Sequence, residues 1–137
     1  MVNELTRLYL DTIKKHAANP VGFGVAIDPT HQHEEYNPLC GDRIRVQLRI
    51  DSGQIEAAAF DGEACAICMA SASLLCDCIP GQTVDQLKIL NRKLREALEG
   101  KIELPETETL SPLLGVKSFP SRIRCATLPW TAATLAK

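Results

Sequence analysis

The chain carries six cysteines in 137 residues, and their neighbours sort them by chemistry. In Cys40-Gly41-Asp42 a soft thiolate and a hard carboxylate stand two positions apart, across a glycine that permits a tight turn. Both side chains can then meet one ion. Cys65 follows the Asp61-Gly62 turn and opens a helix-like stretch, where free backbone N–H groups and the helix dipole favour thiolate over thiol. Cys125 also lies near a predicted helix start, with Arg122 and Arg124 close by to lower its pKa further. Cys40, Asp42, Cys65 and Cys125 together offer four ligands, the number a tetrahedral zinc takes, with Zn–S near about 2.3 Å.

The other cysteines read differently. Cys68, Cys76 and Cys78 crowd one apolar segment, where a buried helix commonly uses Cys as a small packing side chain. Cys65 and Cys68 do have the spacing of a thioredoxin-type redox pair, but that motif belongs in a βαβ setting that the chain does not show. His31 and His33 share one face of an extended stretch, yet beside Glu34 and Glu35 they read as a solvated edge. Arg43, Arg45 and Arg49 read as the wet face of an amphipathic strand, with a partner-docking patch as the alternative.

The elements that position these residues follow from periodicity. Leu5, Leu8, Tyr9, Ile13 and Ala17 recur at helical spacing, with Asn3 as N-cap and Asn19-Pro20 as the stop. From Asp42 to Asp51, Ile44, Val46, Leu48 and Ile50 alternate with Arg and Gln, which predicts a half-buried strand. Asp51-Ser52-Gly53 turns it into an antiparallel partner over Gln54 to Phe60, and a shorter edge strand is expected near His31 to Glu35. Cys65 to Ile79 predicts a buried helix stopped by Pro80-Gly81. Thr83 and Gln86 form a capping box for a helix running to Gly100. Residues 101–118, with Pro105, Pro112 and Gly115, read as a loop or short-helix connection on the surface. Pro120 opens a last helix through Lys137, which Pro129 should kink or break. The expected fold class is α+β, a small antiparallel three-stranded sheet with helices packed on one face.

At 45% apolar composition, residues 1–137 fit one domain with one core. A formal charge of -2, with Lys and Arg spread along the chain, argues against nucleic acid and anionic membranes as partners and favours a protein or a metal. No run approaches the roughly 20 apolar residues that cross a bilayer, and MVNELTRLYLDTIKKH is an amphipathic pattern rather than a signal peptide. A cytoplasmic location is expected. Thiols there stay reduced, so metal or sulfur chemistry is favoured over a disulfide framework.

Three segments carry a family resemblance: Asn37-Pro38-Leu39-Cys40-Gly41-Asp42-Arg43, FDGEACAICMASASLL over 60–75, and FPSRIRCATLPW over 119–130. Through them the chain resembles the IscU and NifU N-terminal scaffolds of iron–sulfur cluster assembly, most closely the SufU type. Cys65 and Cys125 stand 60 positions apart, similar to SufU, in which 101–118 would be an insertion that shorter IscU proteins lack. The resemblance implies a protein that takes persulfide sulfur from a SufS-like cysteine desulfurase and serves downstream cluster-accepting apoproteins. It implies that Cys40, Asp42, Cys65 and Cys125 hold Zn2+ or a transient 2Fe-2S or 4Fe-4S cluster, with Cys40 as sulfur acceptor. Three thiolates and a carboxylate accept either occupant.

Three positions depart from the family pattern. Arg124 stands where IscU proteins have histidine and SufU proteins usually lysine, which disfavours a histidine-ligated cluster because arginine is not a ligand. Ala64 replaces the usual glycine before Cys65, and Pro129 precedes Trp130 in the last helix. None of these removes a ligand. Two other functions compete with the scaffold reading: a dithiol oxidoreductase using Cys65 and Cys68, and a purely structural zinc protein.

Overall fold

A computed structural model describes residues 4–105 and 108–137. The first helix, α1 (Glu4–Ala18), ends before Asn19-Pro20 and buries Ile13, with Leu10 and Ala17 packed at the margin of the core. The proposed cap Asn3 lies outside the described residues.

Three strands follow, β1 (His31–Asn37), β2 (Asp42–Asp51) and β3 (Gln54–Glu63), forming an antiparallel sheet in the order β1-β2-β3. The alternation in β2 sets the sheet's polarity, because Ile44, Val46 and Leu48 are all but completely buried. Burying each adds about 1.5–3 kcal/mol of hydrophobic stabilisation. The turn between β2 and β3 places Ser52 and Gly53 both at positive φ, as a primed hairpin turn requires. β1 runs two residues past the expected edge strand, and β3 runs on through Glu63 rather than ending at Phe60. Gly62 makes the longer β3 possible. A Cβ there would lie 2.1 Å from the Arg43 carbonyl oxygen, so only a glycine lets the strands stay paired up to the site.

The helices lie over the buried face of the sheet. α2 (Ala66–Cys78) is buried without a break from Ala70 to Cys76, which explains its nearly uniform apolar composition. Its two buried hydroxyls are satisfied across helix interfaces. Ser71 donates to the Ala126 carbonyl and accepts the indole N–H of Trp130 at 3.1 Å, while Ser73 accepts the Val21 N–H at 2.8 Å and pairs with His16. α3 (Val84–Leu98) starts with the expected capping box and is followed by Gly100 at φ +79.

Residues 110–116 correct the expectation that 101–118 is a surface connection throughout. Leu110, Leu113 and Val116 are buried in the core, and Ser111–Ser118 form a 3-10 helix whose Gly115 rests against Tyr9 and Leu10 of α1. Their spacing of three is the period of a 3-10 helix, which stacks such residues on one side. The last helix also differs from its expected form. Pro120–Arg122 make a 3-10 turn and α4 (Ile123–Leu135) begins after it. Pro129 does not break α4; it withholds the N–H that the Cys125 carbonyl would otherwise accept. α4 packs on β1, β2, α2 and α3, and Lys137 beyond it exchanges two backbone hydrogen bonds with Gln32 of β1. Among the described residues no helix is long and apolar enough to cross a membrane.

Candidate metal centre

The β1–β2 connection is built to hold Cys40 at its tip. Asn37 is buried, its side-chain oxygen accepts the Leu39 N–H at 3.1 Å, and its carbonyl accepts the Gly41 N–H at 2.8 Å. Gly41 supplies the φ of +75 that closes the turn. Cys40 is therefore exposed, next to a Leu39 that is 82% exposed, while Asp42 immediately enters β2 and is buried.

Two helix starts converge on the same place. Cys65 is the N-cap of α2, with extended backbone (φ -67, ψ 166) and no capping bond from its side chain, so its thiol is left for other partners. Its backbone N–H donates to Asp42 Oδ1 at 2.8 Å. Cys125 lies in the first turn of α4, buried. Its Sγ is 3.7 Å from that of Cys40. The ligand atoms of Cys40, Asp42 and Cys125 all lie within 4.8 Å of one another, a group that can hold a metal ion. Cys65 stands outside that tightest group but borders it, its thiol acting on both Asp42 and Cys125.

The electrostatics agree with a cation site. Burial alone would raise the Asp42 carboxyl, but the Cys40 thiol, the Cys65 N–H and the thiols of Cys125 and Cys65 together hold it below the usual carboxylate value. Oδ1 accepts the Cys65 N–H, whereas Oδ2 is buried with no hydrogen-bond partner. A buried, charged oxygen without a partner, faced by thiols, is an acceptor that a bound cation would satisfy. The donor set therefore fits zinc.

One electrostatic expectation is corrected. Burial pushes the Cys125 thiol up, and Asp42 and the thiols of Cys65 and Cys40 push it further, which outweighs the neighbouring arginines. Arg122 does face the site. Its guanidinium can hydrogen-bond the Cys125 thiolate and feels Cys65 and Cys40, which holds Arg122 above its usual range. Ala64 fits without strain, since Asp28 and Ser52 are the only non-glycine residues at positive φ among those described.

Cys68, expected as a packing residue with a Cys65 redox pair as the alternative, lies directly behind the site. It is fully buried, burial pushes its thiol up, and Asp42 and the three site cysteines add to the effect. The signal was present in the sequence, because residues three apart on a helix share a face, which sets Cys68 behind Cys65. A buried thiol held in its protonated form is a poor redox nucleophile, which weighs against a Cys65–Cys68 dithiol mechanism.

Fold and site together define a small α+β domain whose sheet turn and two helix starts gather thiols and a carboxylate into one cluster that can hold a metal ion. The chain belongs to the family described as the NifU-like N terminal domain, which matches residues 8–124. It is 38% identical over 133 residues to the zinc-dependent sulfurtransferase SufU of Bacillus subtilis, covering 93% of this chain and 88% of that protein. It is 33% identical over 136 residues to the iron-sulfur cluster assembly scaffold protein IscU of Streptococcus pyogenes, covering 96% and 83%. Among solved structures it resembles a protein from Fervidobacterium islandicum AW-1 described as a scaffold for the SUF system, with a TM-score of 0.78 and 26% identity. That match covers 92% of this chain and 93% of the other.

Proposed function

We propose that this chain is a sulfur-accepting scaffold of iron–sulfur cluster assembly, with Cys40 as acceptor and Cys40, Asp42, Cys65 and Cys125 as the ligands of a zinc ion. The observation that carries the reading is the asymmetry of the cluster: Cys40 is exposed at a turn tip, while Asp42 and Cys125, within 4.8 Å, are buried. One thiol can meet an incoming protein while the others stay fixed. Zinc, when bound, would hold these thiols as thiolates at neutral pH.

The sulfur donor in this reading is the persulfide of a SufS-like cysteine desulfurase. The Cys40 thiolate attacks the outer sulfur of that persulfide, the S–S bond breaks, and the donor cysteine leaves as a thiolate. The accepted sulfur then enters a transient 2Fe-2S or 4Fe-4S cluster, which is cargo passed to apoproteins. The reading treats residues 1–137 as one scaffold domain, with 101–118 as a SufU-type insertion, and sets it in the cytoplasm, where thiols stay reduced. Similarity to both a zinc-dependent sulfurtransferase and a cluster scaffold supports it. The test is desulfurase turnover on cysteine with and without this protein, alongside elemental analysis. Stimulated turnover and about one zinc per chain are expected; metal-free protein that is fully folded and has no effect on turnover contradicts the reading.

A further inference from the structure

A cleft of about 470 Å3 opens beside Cys40, lined by Asn37, Leu39, Cys40, Ser121, Arg122 and Arg124 with Pro120. That volume lies within the roughly 300–1,000 Å3 typical of small-molecule sites. Its surface is more apolar than polar, with Asn37, Ser121, Arg122 and Arg124 supplying the polar groups, and Cys40 is the one thiol in it. Arg43, Arg45 and Arg49 on the sheet pair with Glu34, Asp61 and Glu56, whereas neither Arg122 nor Arg124 forms an ion pair among the described residues. Both are exposed. A wall with two guanidiniums free of carboxylates beside an exposed thiol matches a small molecule that carries both carboxylate and transferable sulfur.

We infer that the cleft binds low-molecular-weight persulfides bearing carboxylate groups, and that Cys40 takes sulfur from them directly, without a desulfurase. This rests on the reading of Cys40 as acceptor and adds a second class of donor. The Cys40 thiolate attacks the outer sulfur of R–S–SH. A bond forms between Cys40 Sγ and that sulfur as the original S–S bond breaks. The leaving R–S⁻ carries away the electron pair and takes a proton from water, and Cys40 is left as Sγ–S–H. No oxidant or reductant enters, because the sulfane sulfur moves from one thiol to another. Arg122 and Arg124 hold the carboxylates so that the outer sulfur faces Cys40, and they offset the negative charge of Asp42 and the other thiols behind it.

The test compares two probes on zinc-loaded protein: glutathione persulfide, which carries carboxylates, and the persulfide of 2-mercaptoethanol, which carries none. Persulfide on Cys40 is located by mass spectrometry, and its rate of formation is followed against probe concentration. Wild type should saturate with glutathione persulfide. Arg124→Gln, which leaves Arg122 on the Cys125 thiol, should raise the half-saturating concentration by about tenfold or more, the scale of a lost charge-assisted contact. Its rate with the uncharged probe and its zinc content should be unchanged, and Arg124→Lys should recover part of the loss. Equal, non-saturating rates with both probes, or an Arg124→Gln variant that keeps the preference, overturn the inference. A parallel arm uses a cysteine desulfurase and cysteine. Sulfur reaching Cys40 from the enzyme but not from glutathione persulfide removes the inference alone, whereas sulfur reaching Cys40 from neither removes the acceptor reading with it.

Discussion

The backbone N–H of Cys65 donates to Asp42 Oδ1 at 2.8 Å, so one carboxylate ties the first residue of β2 to the N-cap of α2. The other oxygen of the same carboxylate is buried and without a hydrogen-bond partner. On the proposed ligand set Asp42 would serve the fold through one oxygen and the metal through the other, and substitutions can separate the two roles.

Asp42→Ala removes both. Zinc affinity should fall by at least about tenfold, since even ligand-supporting groups are worth that much. Leaving the Cys65 N–H without its acceptor should also cost about 1–3 kcal/mol of stability in the metal-free protein. Asp42→Asn keeps an oxygen acceptor for Cys65 but no charge, so its metal-free stability should stay closer to wild type while zinc binding still weakens. Chelator competition and urea unfolding measure the two effects. Wild-type zinc affinity in Asp42→Ala would take Asp42 out of the ligand set.

Much of this arrangement was legible in the sequence because it is local. The period-2 alternation of β2, the capping box of Thr83 and Gln86, and the glycine in Cys40-Gly41-Asp42 each specify their own geometry within a few residues. What was not legible depends on distant packing. Residues 101–118 look polar on average, and only contact with α1 decides that Leu110, Leu113 and Val116 turn inward. Pro129 is tolerated in α4 in a fully buried setting, so tertiary packing outweighs its helix-breaking tendency. The upward push on Cys125 was missed for the same reason: its burial is invisible in a sequence that shows only the arginines nearby.

The buried 3-10 segment gives a stability prediction. Leu113→Ala should destabilise the protein by about 2–5 kcal/mol, the cost of a large-to-small change in a packed core. Lys117→Ala, at an exposed position of the same segment, should change stability by less than about 0.5 kcal/mol. Denaturant unfolding of both variants checks this, and equal, small effects would return 101–118 to the surface.

Cys76 predicts how the fold responds to alkali. Burial, followed by the charges of Cys78 and Asp77, pushes its thiol up to about 12 from an ordinary 9.0. Above the ordinary value the unfolded chain releases a proton that the folded chain retains. Stability is therefore fully present below about pH 9 and falls as pH rises, by at most about 1.4 kcal/mol per unit for one such thiol. Cys76→Ala removes that thiol, so its unfolding free energy should fall less steeply than wild type between about pH 9 and about pH 10.5. Parallel slopes for the two proteins would show that Cys76 is not held protonated by the fold. At neutral pH, Cys76→Ser should retain wild-type zinc content and sulfur acceptance, because this residue is remote from the ligands.

The role of Cys40 is tested most directly by locating the transferred sulfur. Zinc-loaded wild type and Cys40→Ser are incubated with a cysteine desulfurase and cysteine under reducing conditions, turnover is recorded, and mass spectrometry assigns the added sulfur to a residue. With Cys40 as the proposed acceptor, exposed where Cys125 is buried, the persulfide is expected on Cys40. Cys40→Ser should then lose stimulation of the desulfurase, even where Asp42, Cys65 and Cys125 retain some metal. Persulfide found mainly on Cys125, with Cys40→Ser still fully active, would contradict Cys40 as the acceptor.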